Sequence, residues 1–128
     1  MEHGRGFQNR SATLGRAAED QALEELSAAG LQFLARNFRC RLGEIDLVMR
    51  DGDMLVFVEV RARSNTSFGS AAETVSAAKR HRLCASAGLF LAWHPALQHL
   101  PVRFDLFAVD GAHGTTTSRA TWIRGIFD

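Results

Sequence analysis

Two strand-like segments on either side of Asp51-Gly52 constrain the fold of this chain more than any other feature. Residues 43–49 read Gly-Glu-Ile-Asp-Leu-Val-Met, an alternating pattern typical of a strand. Residues 54–60 read Met-Leu-Val-Phe-Val-Glu-Val and are almost wholly apolar, which is typical of a central strand covered on both faces. Asp-Gly between two such segments is a strong turn signal. The sequence therefore predicts a hairpin at the centre of a sheet.

Helices and further strands are predicted around this hairpin. Apolar residues at three- and four-residue spacing predict a first helix over 13–29, with Ser11 as its N-cap and Gly30 as its stop. The other predicted elements are a strand over 31–38 followed by a basic turn, a loop over 63–70, a helix over 71–93 ended by Pro95, a strand over 102–109, a loop over 110–118 and a short last strand over 120–127. We expect a flexible tail over 1–10 and one α/β domain over 11–128.

The composition is that of an ordinary globular domain. The chain has 128 residues, of which 46% are hydrophobic and 23% charged, enough for one domain with its own core. The N-terminus lacks the apolar segment of a signal peptide, and the longest apolar stretch, near 84–93, is too short to cross a bilayer. Cys40 and Cys84 form no metal-binding pattern and are expected to be lone, buried thiols. We therefore expect a cytoplasmic protein that does not enter a membrane.

Two carboxylates, Asp46 and Glu59, lie within the predicted hairpin. Side chains alternate between faces along a strand, and a two-residue turn makes the numbers of paired residues sum to an odd value. Asp46 and Glu59 then point to the same side of the sheet, as do Glu44 and Arg61. A three-residue turn would break this relation. If the turn has two residues, the hairpin brings two negative charges together.

Such a pair of carboxylates is costly unless something compensates it. Like charges repel, and burial adds a desolvation penalty that a hard divalent cation such as Mg²⁺ relieves. The same ion lowers the pKa of a bound water and stabilises charge on a phosphodiester. The plain alternative is that both carboxylates face solvent, as strand carboxylates usually do. Glu59 argues against it, because it interrupts an otherwise apolar strand where an unpaired charge is expensive.

Several segments of the chain resemble the bacterial YraN-type uncharacterised family. They are Gly-Arg-Ala-Ala-Glu at 15–19, Gly-Glu-Ile-Asp-Leu-Val at 43–48, Val-Phe-Val-Glu-Val-Arg at 56–61 and Arg-Phe-Asp at 103–105. The family resembles the Holliday-junction-resolvase branch of the PD-(D/E)xK nuclease superfamily. The resemblance implies a restriction-endonuclease-like fold, with a mixed central sheet flanked by helices. It also implies Mg²⁺ or Mn²⁺ as cofactor, branched or structured DNA as substrate, and a homodimer.

The resemblance also implies a role for individual residues. Glu19 matches the metal-binding carboxylate of the first helix, Asp46 matches the metal-binding Asp, and Glu59 matches the Glu of Glu-x-Lys. Arg61 occupies the Lys position, which is a departure, because arginine can hold a phosphate but is a poor general base. Lys79 on the second helix could supply an amine from another direction, or it could be an ordinary solvated lysine.

Basic residues cluster in three places along the chain. They are Arg36, Arg39 and Arg41; Arg61 and Arg63; and Lys79, Arg80, His81 and Arg82. Near one site they would suit a phosphate backbone, and we expect four of them to bind nucleic acid, namely Arg39, Arg41, Arg63 and Arg80. The alternative is ordinary solvated charge, since the formal net charge is only +1.

Three functions remain open from the sequence. The first is a metal-dependent endonuclease acting on structured or branched DNA. The second is a nucleic-acid-binding module that keeps the fold without the chemistry, which the arginine at position 61 favours. The third is an interaction protein whose carboxylates only tie the hairpin together.

Overall fold

The computed structural model describes residues 10–63, 75–110 and 119–127. These residues form two α-helices, a short 3-10 helix and five strands. In chain order they are α1 (Arg10–Ala28), β1 (Gln32–Cys40), β2 (Gly43–Asp51), β3 (Met54–Arg63), α2 (Ala77–Ala92), the 3-10 helix (Pro95–Leu97), β4 (Val102–Asp110) and β5 (Arg119–Ile123).

The five strands form one mixed sheet in the order β1-β2-β3-β4-β5. The β3–β4 pair is parallel, and the other three pairs are antiparallel. Parallel neighbours need a crossover connection, and α2 lies in the segment between β3 and β4. The prediction of a single α/β domain with a mixed sheet and flanking helices is confirmed, and the architecture is compatible with a restriction-endonuclease-like fold.

The two helices cover opposite faces of the sheet, and alternate residues of β3 and of residues 47–49 of β2 pack against different helices. This alternation does not extend to Ile45, which packs on the α2 side although it lies two residues from Leu47. The core on the α1 side contains Ala18, Ala22, Leu26, Leu47, Met49, Val56 and Val58. The core on the α2 side contains Ile45, Val48, Leu55, Phe57, Leu83, Ala87 and Phe90. The prediction that β3 is covered on both faces is therefore confirmed.

The β2–β3 hairpin has the predicted two-residue turn. Asp51 pairs with Met54, and the same register runs back to the pair of Leu47 and Val58. The turn residues are Gly52 and Asp53, and Gly52 has a φ of 61°, which suits a residue without a β-carbon. The predicted odd sum of paired residue numbers is confirmed.

Strand β1 is longer than predicted. It stays paired with β2 as far as Cys40 and Gly43, so Arg39 lies in the strand and not in the basic turn predicted after residue 38. Pairing with a central strand overrides the local preference of this polar residue for a turn.

Helix boundaries also differ from the sequence prediction. Helix α1 spans Arg10–Ala28, so Ser11 lies within the helix and not at the predicted N-cap position before it. Helix α2 begins only at Ala77, because the Ser76 side chain accepts a hydrogen bond from the Lys79 backbone N–H and fixes the start there. The predicted start of that helix at 71–74, most of the two predicted loops and residues 1–9 lie outside the described residues.

The last strand is shorter than predicted and ends at Ile123. Beyond it, the Gly125 N–H donates to the Asp105 side chain and the Ile126 N–H donates to the Phe104 carbonyl, so the chain stays hydrogen-bonded to β4 without continuing the strand ladder. The cysteine prediction was wrong in part, since Cys84 is exposed and Cys40 is half-buried, both as free thiols. None of the described helices is long and apolar enough to cross a membrane.

Candidate active site

The site begins where β2 and β3 stop pairing. The last backbone pair of these two strands is Leu47 and Val58. Beyond it, the hydrogen bond between the strands is made by the Asp46 side chain. The Val60 N–H donates a hydrogen bond of 2.8 Å to Oδ2 of Asp46. Asp46 is therefore held by the same strand that carries Glu59, one residue before Val60.

Glu59 is buried and in contact with two basic side chains. Only 5% of its surface is exposed. Its Oε2 lies 2.8 Å from Nζ of Lys79 and 4.0 Å from Nη2 of Arg61. The Arg61 Nε is buried without a hydrogen-bond partner among the described residues. The amine of Lys79, in the first turn of α2, therefore contacts the carboxylate of Glu59 on β3.

The electrostatics around Asp46 disfavour its charged form. The pKa of Asp46 is raised from 3.8 to about 8, mainly by burial and next by the negative charge of Glu59, with smaller contributions from Glu19 and Glu44. The hydrogen bond from Val60 opposes this effect but does not cancel it. A cation beside Asp46 would restore the ionised form at neutral pH.

Asp46 lies between two cavities. The larger is a cleft of about 580 Å³ between α1, β1 and β2, lined by Gly15, Arg16, Glu19, Asp20, Arg36, Asn37, Arg39, Glu44 and Asp46. The smaller is a recess of about 100 Å³ lined by Gly43, Glu44, Asp46, Glu59, Lys79, Arg82 and Leu83. Asp46 and Glu44 line both cavities, so a group bound at Asp46 can be reached from either one.

The third predicted ligand, Glu19, lies in the larger cleft and is paired with β1. Its Oε1 accepts hydrogen bonds from Asn37 at 3.0 Å and from Arg36 at 3.4 Å. Within 10–63, 75–110 and 119–127, no three His, Cys, Asp or Glu side chains converge closely enough to enclose a metal ion. The structure brings Asp46 and Glu59 to one end of the hairpin, and it places Glu19 in the cleft that Asp46 also lines.

The donor chemistry nevertheless fits a hard divalent cation. The oxygen atoms of Asp46 and Glu59 are the kind of ligand that Mg²⁺ and Mn²⁺ prefer. Asp46 is half-buried near the negative charges of Glu59, Glu19 and Glu44, which a divalent cation would offset. Asp46 and Glu59 are thus the residues that would hold such an ion, and Glu19 and Glu44 border the same space.

The predicted nucleic-acid-binding arginines differ in their surroundings. The Arg39 side chain is 74% exposed, and its Nε lies 3.5 Å from Glu44 in the larger cleft. Arg41 is exposed in the turn between β1 and β2. Arg80 is exposed on α2, with its guanidinium 4.8 Å from the ring centroid of Phe127. The Arg63 side chain lies outside what the structure describes.

Sequence reasoning missed two residues of the site. Glu44 lines both cavities, and a signal for it existed, since it shares the strand face of Asp46 by spacing. Asn37 contacts Glu19 and Glu44, but as a single polar residue in a predicted strand it gives no indication of these contacts. No local sequence signal would have placed its amide in the cleft.

Comparison with known proteins places the chain in a family. The model of the Uncharacterised protein family UPF0102 matches residues 18–109. A UPF0102 protein of Pseudomonas fluorescens is 46% identical over 122 residues, which cover 95% of this chain and 98% of that protein. A UPF0102 protein of Ralstonia nicotianae is 52% identical over 122 residues, which cover 91% of this chain and 88% of that protein. The chain therefore belongs to the UPF0102 family, the bacterial YraN-type family that its motifs resemble.

Proposed function

We propose that this protein is a metal-dependent endonuclease that acts on structured or branched DNA. The observation that carries the proposal is the 2.8 Å contact between Lys79 Nζ and Glu59 Oε2, beside the half-buried Asp46. Two carboxylates that can hold a divalent cation, together with an ammonium group that can donate a proton, suit phosphodiester hydrolysis.

Lys79 can supply the amine that is missing from position 61, where an arginine replaces the expected lysine. An arginine in the lysine position leaves the site without a group that exchanges a proton readily, because a guanidinium is effectively always charged. The amine of Lys79 reaches the same carboxylate from α2. The proposed site thus contains a lysine amine, which comes from α2 and not from β3.

Each side chain has a distinct role in the proposed mechanism. A bound Mg²⁺ or Mn²⁺ would activate water and offset charge on the phosphate, and Asp46 and Glu59 would hold it, with Glu19 facing it from α1. Lys79 donates a hydrogen bond to Glu59, and its ammonium group can donate a proton to a leaving oxygen beside it. Arg61 supplies a permanent positive charge for the scissile phosphate.

The exposed arginines suit a phosphate backbone. Arg39 borders the larger cleft, and Arg41 and Arg80 lie on exposed parts of the turn and of α2. Contacts of this kind would fix the position of the DNA without reading its sequence. We also propose that the protein is cytoplasmic. We further propose that it acts as a homodimer, as the resemblance to resolvases implies.

One observation favours a second candidate, a nucleic-acid-binding module without catalysis. Glu59 already has a lysine within 2.8 Å and an arginine within 4.0 Å, so two basic side chains can offset its charge without a metal ion. Such a site would tie α2 to β3 and leave the arginines to bind DNA.

Cleavage of a labelled panel of DNA substrates separates the two candidates. The panel contains duplex, single strand, flap and four-way junction, each with Mg²⁺, Mn²⁺ or EDTA, and the variant is Asp46→Ala. The endonuclease predicts cutting of branched substrates that requires metal and disappears in Asp46→Ala. Binding without cutting, unchanged by that substitution, would leave the binding module as the function.

A further inference from the structure

The pairing of β1 with β2 is interrupted opposite Asp46. Arg36 pairs with Leu47 and Phe38 pairs with Ile45, which leaves Asn37 facing Asp46 at the skipped position. Asn37 has a φ of 55°, and among the described residues it alone has a positive φ without being glycine. Asparagine tolerates this left-handed conformation better than most residues do, but such positions are uncommon within strands. The backbone is therefore held in an unfavourable conformation at the edge of the site.

The side chain of Asn37 joins two carboxylates of the larger cleft. Its Nδ2 donates to Oε1 of Glu19 at 3.0 Å and lies 3.4 Å from Oε2 of Glu44. One carboxylate comes from α1 and the other from β2, and both line the cleft that Asp46 also lines. The amide thus ties two separate elements together beside the proposed cation ligand.

The chemistry of this contact differs from that of its neighbours. Arg36 and Arg39 contact the same two carboxylates, but each brings a positive charge that repels a cation. The amide of Asn37 is neutral, so it can orient a carboxylate without competing with a metal ion for it.

We propose that Asn37 is a positioning residue that holds Glu19 and Glu44 toward a divalent cation at Asp46. This inference rests on the proposed function, because it assumes that Asp46 holds such an ion. The left-handed backbone aims the amide into the cleft, and the amide sets the orientation of both carboxylates. Loss of a hydrogen bond that orients a metal ligand typically lowers metal affinity by about 10- to 100-fold.

Replacing Asn37 by glycine separates the contribution of the side-chain amide from that of the backbone conformation. Glycine adopts a positive φ without strain, so Asn37→Gly removes the side chain and keeps the chain path. The matched control is Gln21→Ala, which removes another amide-to-carboxylate hydrogen bond, the 2.9 Å contact with Glu25 on the exposed side of α1. Mn²⁺ affinity is measured by calorimetric titration of the full chain, and thermal stability is measured separately in EDTA.

We expect Asn37→Gly to lose about 10-fold or more in Mn²⁺ affinity, with Gln21→Ala unchanged. We also expect Asn37→Gly and Glu19→Gln to be less than additive in combination, because the first substitution acts in part through Glu19. An Asn37→Gly variant that melts earlier in EDTA but binds Mn²⁺ as the wild type does would overturn the inference.

The same titration separates this inference from the proposed function. If Asp46→Asn loses Mn²⁺ binding while Asn37→Gly keeps it, the metal site stands and the role of Asn37 is wrong. If the wild-type protein does not bind Mn²⁺, both are wrong.

Discussion

Replacing Asp46 by asparagine should stabilise the fold at alkaline pH. The Asp46 carboxyl has its pKa raised from 3.8 to about 8 by burial and by the charge of Glu59. Asparagine has the same shape and keeps an oxygen that accepts the Val60 N–H, but it carries no charge. The substitution therefore removes the cost of ionising this position and retains its hydrogen bond.

The magnitude and its pH dependence follow from the two pKa values. Below pH 3.8 both the folded and the unfolded chain hold the proton, and the substitution should be neutral. From pH 3.8 to about 8 the unfolded chain ionises first, so the wild type loses stability as the pH rises. At about 1.36 kcal/mol for each pKa unit, the loss reaches about 6 kcal/mol above pH 8. The melting temperature of Asp46→Asn should then exceed that of the wild type by about 20 °C.

Urea and thermal unfolding followed by circular dichroism at pH 4, 6 and 8, all in EDTA, would measure this difference. The matched control is Asp53→Asn, since the Asp53 side chain is 97% exposed in the hairpin turn and should show little effect at any pH. Equal stability of Asp46→Asn and the wild type at pH 8, or a gain already complete at pH 4, would refute the reasoning.

Three further outcomes are expected. Mg²⁺ at 100 times its dissociation constant should stabilise the wild type by about 2.7 kcal/mol at pH 8 and leave Asp46→Asn unchanged, which differential scanning fluorimetry can detect. Asp105→Ala should cost about 3–5 kcal/mol in urea unfolding, because Asp105 is fully buried and its loss leaves Arg103 without its closest partner; a cost below 1 kcal/mol would contradict this. Arg39→Ala and Arg41→Ala should each weaken binding to all DNA substrates alike and lower the salt dependence of binding by about one unit, whereas an effect on one substrate alone would argue for sequence or shape readout.

The hairpin and its carboxylates could be predicted because local rules determine them. A two-residue turn fixes the parity of the pairing, so Asp46 and Glu59 belong to the same end of the sheet once Asp51-Gly52 is recognised. The apolar run of β3 likewise indicates a strand covered on both faces. These inferences need only neighbours in sequence and the geometry of a strand.

The partners of those carboxylates depend on tertiary packing and could not be predicted in the same way. Lys79 reaches Glu59 because Ser76 fixes the start of α2 and because α2 packs on one face of the sheet. Glu19 pairs with Arg36 because β1 continues past the end of its apolar pattern. The conformation of Asn37 arises from an interruption in strand pairing, which residue preferences do not reveal.

The most direct test of the proposed site is to remove the lysine at position 79 and to place one at position 61. Cleavage of a four-way junction with Mn²⁺ is measured for the wild type, Lys79→Met, and Lys79→Met combined with Arg61→Lys. Loss of a group that transfers protons should slow Lys79→Met by about 100-fold or more, and a lysine at position 61 should restore part of the rate, because Arg61 already lies 4.0 Å from the same carboxylate. Full activity in Lys79→Met, or no metal-dependent cleavage by the wild type, would contradict the proposed site.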